Sequence, residues 1–172
     1  DGYCIELIQQ TLRENTPKLD GTRQSIVDFN PTFTLSTLRV KSIKKSLTFY
    51  KALGFELIYT YYSKERAMSL YFLIAKNDEK FKQACSLTCV EQAMWQHSST
   101  ILELQQFDNT AQASDFSYNT NTNTGFLGLR IKDSANNIQK YRGNSSCLQI
   151  STAQKNSMLL LDPDGYQIYY GS

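Results

Sequence analysis

Thr34-Leu35-Ser36-Thr37-Leu38-Arg39-Val40-Lys41-Ser42-Ile43-Lys44-Lys45-Ser46-Leu47-Thr48-Phe49-Tyr50-Lys51-Ala52-Leu53-Gly54-Phe55 switches hydrophobic period halfway along its length. The first half reads as a strand, with β-branched Thr37 and Val40 set around Leu38. The second half reads as an amphipathic helix. Ile43, Leu47 and Tyr50 recur at i, i+4 and i+7 and share a face with Leu53. Ser42 stands at the N-cap position, where a hydroxyl can accept from an orphan backbone N–H of the first turn. Gly54 ends the helix, because a glycine adopts positive φ without steric cost. A new strand starts at Phe55.

Strand, capped helix, Phe49-Tyr50 pair, Leu53-Gly54 stop and renewed strand together resemble the opening of a glyoxalase I module of the vicinal-oxygen-chelate superfamily. Later matches follow in the family's order. Met68-Ser69-Leu70-Tyr71-Phe72-Leu73 resembles its third strand, and Leu102-Glu103-Leu104 its fourth. Gly128-Leu129-Arg130-Ile131-Lys132-Asp133 echoes residues 37–42 and opens a second module. Asp162-Pro163-Asp164-Gly165-Tyr166 matches the turn before the final strand, where Pro163 sets φ and Gly165 permits φ > 0.

Working outward from the opening stretch, strands are expected at 57–63 and 67–75 around a polar Lys64-Glu65 turn. Residues 76–97 are charged, then mixed, and read as partly helical. Residues 100–104 form a strand with one carboxylate, Glu103, among apolar neighbours. In the second module a helix carrying Ile138 and Tyr141 runs to Gly143, with strands near 147–151, 157–161 and 166–170. Asp1-Gly2-Tyr3-Cys4-Ile5-Glu6-Leu7 repeats the motif of residues 164–170, a self-match across nearly the whole chain. Its simplest account is that the chain opens on the last strand of a preceding homologous unit. The expected division is then 1–8 as that strand, 9–31 as a linker, and 32–107 as the first βαβββ module. An Asn/Thr-rich loop spans 108–124, and the second βαβββ module spans 125–172. The fold class is α+β, with paired βαβββ modules forming a glyoxalase-like incomplete barrel.

Bulk properties narrow the partners. Length 172 suffices for one sizeable core or two half-units sharing one. With 18 basic and 16 acidic residues the net charge is +2, so neither nucleic acid nor an anionic membrane is called for. No apolar run reaches the ~20 residues that span a bilayer. Cys4, Cys85, Cys89 and Cys147 lack a zinc-finger pattern and read as buried or half-buried free thiols of a reducing compartment, hence a cytoplasmic protein. Cys85 and Cys89 stand one turn apart if that piece is helical, and a structural zinc or a disulfide pair is the alternative. No targeting segment is visible at the start, and the missing upstream sequence leaves that open.

The resemblance implies a chemistry. Glyoxalase I isomerises the hemithioacetal of glutathione and methylglyoxal to lactoylglutathione. A divalent metal, Zn or Ni, polarises two vicinal oxygens and stabilises an enediolate while a carboxylate base removes a carbon-bound proton. Carried onto this chain, the first-strand ligand falls on Leu35, the fourth-strand Glu on Glu103, the second-module His on Phe126 and the final-strand Glu on Tyr169. Only Glu103 keeps a ligand atom, since a neutral phenol is a poor substitute for a carboxylate. Glu6 occupies the final-strand position of the preceding unit, which in the family is both ligand and base. In fused members the sites form between modules of different halves, so Glu6 would meet Glu103, with an upstream His as third ligand and water opposite Leu35. On the substrate side, Arg39 matches the Arg that binds the glutathione carboxylate, and Lys155 a Lys before the last strands. An Asn of the family falls on Phe107, an Arg falls near Thr122, and the only histidine, His97, lies outside the motif.

The resemblance thus implies a divergent C-terminal part of a fused, glyoxalase-I-like lactoylglutathione lyase. One site would lie against the upstream homologous half, and the chain by itself would be inactive. A different class of function fits the same residues: a metal-free pseudoenzyme half acting as scaffold or ligand-binding module. In that case Glu6 and Glu103 are ordinary strand residues, Glu103 paired with Arg39.

Overall fold

Hydrophobic alternation and helix punctuation together build two sheets of the same strand order. The computed structural model describes residues 34–96, 99–109, 128–132, 150–151 and 157–171. In chain order these form β1 (Leu35–Arg39), α1 (Ile43–Ala52), β2 (Phe55–Ser63), β3 (Met68–Ala75), α2 (Glu79–Leu87), α3 (Val90–Gln96) and β4 (Ile101–Phe107). They continue with β5 (Leu129–Lys132), β6 (Ile150–Ser151), β7 (Ser157–Leu161) and β8 (Gln167–Gly171). The first sheet runs β1-β4-β3-β2 and the second β5-β8-β7-β6. In each, the opening strand pairs parallel with the last strand and the remaining pairs are antiparallel. The α+β class and the repeated strand order agree with the expected paired modules. The expected 1–8 strand, the 9–31 linker, the loop beyond Asn109 and the helix before Gly143 lie outside the described residues.

The two sheets share one core. Period-2 alternation aims Leu38, Leu102, Leu104 and Leu73 of the first sheet at the same side as Phe49, Tyr50 and Leu53 of α1. Met158, Leu160, Ile168 and Tyr170 of the second sheet join that cluster. Each large apolar side chain fully buried there contributes about 1.5–3 kcal/mol. A second cluster lies on the opposite face of the first sheet, where α2 and α3 bring Phe81, Ala93 and Met94 against Phe72, Ile74 and Ile101.

Helix α1 begins and ends differently from the sequence expectation at one end only. Gly54 has φ +91 and its N–H donates to the Lys51 carbonyl at 3.1 Å, as a helix stop requires. At the other end Ser42 occupies the N-cap position but makes no side-chain cap bond. Tertiary partners take over instead. The Ile43 N–H donates to Gln106 Oε1 on β4 at 2.8 Å, and the Lys41 N–H donates to Asp164 Oδ1 at 3.0 Å. The Ser42 carbonyl accepts from Ser46, both from its N–H at 3.0 Å and from its hydroxyl at 3.2 Å.

Asp162 and Asp164 are what bind the second module's turn to the first module's helix. The Asp162 Oδ1 accepts the N–H groups of Asp164 at 2.9 Å and Tyr166 at 2.8 Å, and so folds the turn. Its Oδ2 accepts the buried Tyr50 hydroxyl at 2.9 Å. Gly165, at φ +90, closes the corner by donating to the Asp162 carbonyl. Burial pushes the Tyr50 phenol well above the usual tyrosine range, with Asp162 adding to the effect, so Tyr50 stays a donor. Burial also pushes the Asp162 carboxyl up, against the lowering effect of the donors around it.

The cysteines depart in part from expectation. Cys85 and Cys89 are free thiols, Cys85 half-buried and Cys89 exposed rather than buried. Cys85 lies in α2, which ends at Leu87, and Cys89 falls in the break before α3, so they are not one turn apart on a helix. Burial raises the Cys85 thiol. Cys4 and Cys147 lie outside the described residues. Among the described residues no helix is long and apolar enough to cross a membrane.

Candidate functional site

Every other residue of β1 and β4 points away from the shared core, and these residues form the candidate site. The parallel register sets Leu35 opposite Ile101, Thr37 opposite Glu103 and Arg39 opposite Gln105. On the next strand Phe72 stands opposite Glu103, Leu70 opposite Gln105 and Met68 opposite Phe107. Helices α2 and α3 cover the Leu35–Ile101 end of this face, and the Arg39–Phe107 end stays open.

Glu103 is the chemically distinctive group. It is 6 % exposed, a buried carboxylate between Leu102 and Leu104. Its Oε2 accepts the Thr37 hydroxyl at 3.1 Å and its Oε1 accepts the Gln105 amide at 2.9 Å. Both donors are neutral. The expected Arg39–Glu103 pair is absent: Arg39 is exposed, and its guanidinium sits 5.3 Å from the centroid of the Phe107 ring. A cation over an aromatic face is attracted by the ring's quadrupole. Glu103 therefore lies buried among neutral donors with no cationic side chain bonded to it among the described residues.

The other matched ligand positions among the described residues carry no carboxylate or imidazole. Leu35 is part of the apolar cluster beneath α2 and α3, beside Ile101 and Ile74. Tyr169 lies on β8 between Arg130 and Leu159, on the face of the second sheet that points away from the shared core. It is 37 % exposed, and its hydroxyl donates to Gln167 Oε1 at 2.9 Å. Glu6, Phe126, Lys155 and His97 lie outside the described residues. Among the described residues no three His, Cys, Asp or Glu side chains converge as a metal would need. Thr37 and Gln105 were not singled out from the sequence. Their signal is the alternation that puts Arg39 and Glu103 on faces of their own strands, and only the β1–β4 pairing shows those faces to be the same one.

Solved structures identify the architecture. The trypanothione-dependent glyoxalase I of Leishmania major superposes with a TM-score of 0.57 at 20% identity, covering 83% of this chain and 87% of that one. The chain has a glyoxalase-like fold. Glyoxalase I from Zea mays superposes with a TM-score of 0.52 at 16% identity, over 81% of this chain and 44% of the maize protein. The fosfomycin resistance protein FosX of Listeria monocytogenes, solved with Mn(II) and a dihydroxypropylphosphonic acid, superposes with a TM-score of 0.52 at 11% identity. It covers 83% of this chain and 93% of FosX. Neither a family model nor a curated protein sequence matches the chain.

The FosX structure holds Mn(II), and at the matched ligand positions among the described residues of this chain only Glu103 offers a carboxylate for such an ion. Glu103, with both oxygens hydrogen-bonded to neutral donors, offers one carboxylate at a ligand position. Leu35 and Tyr169 do not suit the others. Any site at Glu103 draws its remaining donors from beyond the described residues.

Proposed function

We propose that this chain is the C-terminal part of a glyoxalase-I-like protein with one composite metal site, to which it contributes Glu103. The observation that carries this reading is the buried Glu103 carboxylate, held by two neutral donors on a face turned away from the second sheet. Such a face can be completed only by protein from outside the described body. Glu6, on the strand we assign to an upstream unit, is the proposed partner ligand and base, and Leu35 leaves its position to water. A divalent cation of the zinc or nickel type would polarise the vicinal oxygens of a thiol-derived hemithioacetal, with glutathione as the model thiol. Arg39, at the open end of the face, is proposed to bind a substrate carboxylate, and Lys155 to assist from the second module.

The second sheet favours a second, different role. Tyr169 offers no anionic donor where the fold's other site would lie, so we assign that half to scaffolding. Metal analysis of the protein expressed from its complete reading frame tests both. Glu103→Gln should lose bound metal and isomerase activity, and Tyr169→Phe should keep both. Equal metal content in all three proteins would sink the composite-site reading.

A further inference from the structure

We propose that β2 is an interaction surface at which two copies of this chain pair antiparallel, edge to edge. The proposal needs no metal and stands apart from the composite-site reading. β2 closes one side of the first sheet, and among the described residues its strand partner is β3 alone. An edge strand presents a row of open N–H and C=O groups, and proteins guard such rows with short strands, prolines, charges or bulges. β2 is nine residues long. Its stretch 57–63, Leu-Ile-Tyr-Thr-Tyr-Tyr-Ser, holds no charge, proline or glycine. One irregularity lies between Leu57 and Tyr59. Beyond it the ladder to β3 runs unbroken, from Tyr59 opposite Phe72 to Ser63 opposite Met68. The outer side of that regular run is an uncharged backbone edge.

Side chains mark the same run. Thr60, Tyr61 and Tyr62 are exposed in succession, Tyr61 at 51 % and Tyr62 at 52 %. Neighbouring residues of a strand point to opposite faces, so one exposed tyrosine flanks the edge on each side of the sheet. Tyrosine is enriched in protein interfaces, and aromatic side chains set opposite one another stabilise a strand pair. The Tyr62 hydroxyl donates to Asp108 Oδ2 at 2.9 Å, so its ring is already placed and loses less freedom on docking. Charge selects the occupant and its direction. Glu56 lies at one end of the uncharged stretch, and Lys64-Glu65-Arg66, two cations to one carboxylate, at the other. A second copy running antiparallel brings each Glu56 end to the basic end of the other copy, twice by symmetry. A parallel copy would set like beside like. Tyr61, the middle residue of the regular run, then lies near the symmetry axis.

Sedimentation velocity over a dilution series, on the protein from its complete reading frame, tests the pairing. One strand pair makes a small interface, so wild type should be a dimer that dissociates on dilution. Tyr61→Lys brings a like charge from each copy to the symmetry axis and should be monomeric throughout. Glu56→Lys should weaken the dimer by roughly 3–10-fold. Adding Lys64→Glu and Arg66→Glu to it reverses both ends together and should restore the wild-type value. Hydrogen exchange of residues 57–63 should slow as the wild-type concentration rises and stay fast in Tyr61→Lys. A wild type that stays monomeric up to its solubility limit would overturn the proposal, as would a dimer unmoved by Tyr61→Lys. Slow exchange of residues 57–63 in the monomer would do the same, because another part of the chain would then cover the edge. A triple variant as weak as Glu56→Lys would overturn the antiparallel direction. Each of these results leaves the metal reading to be decided by Glu103→Gln.

Discussion

The outer face of the first sheet and the outer face of the second start from the same strand order and end in opposite chemistry. On the first, Glu103 is 6 % exposed and bonded on both oxygens, with Thr37 and Gln105 in register around it. On the second, Tyr169 is 37 % exposed and bonds Gln167, two residues away on its own strand. Burial of an ionised group is expensive and persists only where something compensates it, whereas an exposed phenol asks for nothing. The first face thus holds a buried carboxylate compensated by two neutral donors, and the second presents a partly exposed phenol. Both faces depend on the same core behind them, where α1 and the Asp162–Tyr166 turn join the sheets.

Removing that common support should have the largest effect. Tyr50→Ala opens a cavity and strands the buried Asp162, and should cost about 3–5 kcal/mol, read as a lower urea midpoint. If it lowers protection of one sheet only in hydrogen exchange, the sheets are not coupled through α1. Next, stripping metal with a chelator should lower the melting temperature of wild type and of Tyr169→Phe. A ligand present at 100 times its dissociation constant adds about 2.7 kcal/mol. Glu103→Gln should melt at the same temperature with and without chelator, and a chelator effect there would erase the contrast between the faces.

Smaller effects separate what holds α1 in place. Gln106→Leu leaves the Ile43 N–H without its 2.8 Å acceptor and should cost about 1–3 kcal/mol. The Asp162 carboxyl is raised above its ordinary value of 3.8, first by burial. Its protonated form is therefore favoured in the folded state, and its contribution to stability is fully present below pH 3.8 and lost as pH rises through the raised value. The stability difference between wild type and Asp162→Asn should fall over that rise, and a difference that grows with pH would refute the assignment. Ser42→Ala should be smallest, within about 0.5 kcal/mol, because the hydroxyl makes no cap bond. A loss of ~1 kcal/mol, usual for a working N-cap, would show that the serine caps after all.

Local physics made much of this molecule legible from its residues alone. The period change between Arg39 and Ile43, the glycine stop at Gly54 and the Asp-Pro-Asp-Gly-Tyr corner each depend on backbone sterics and short-range spacing, which the chain carries without reference to its fold. So did the repeat that predicted two sheets of one design. What only the tertiary structure decided was partnership across the sheet and between modules. Glu103 bonds Thr37 and Gln105 rather than Arg39, the first N–H of α1 is taken by Gln106 rather than by Ser42, and Asp164 holds the chain just before the helix. Hydrogen bonds and charges act over a few ångströms in space, and residues 66 or 123 positions apart become neighbours only after strand register and helix docking have been set.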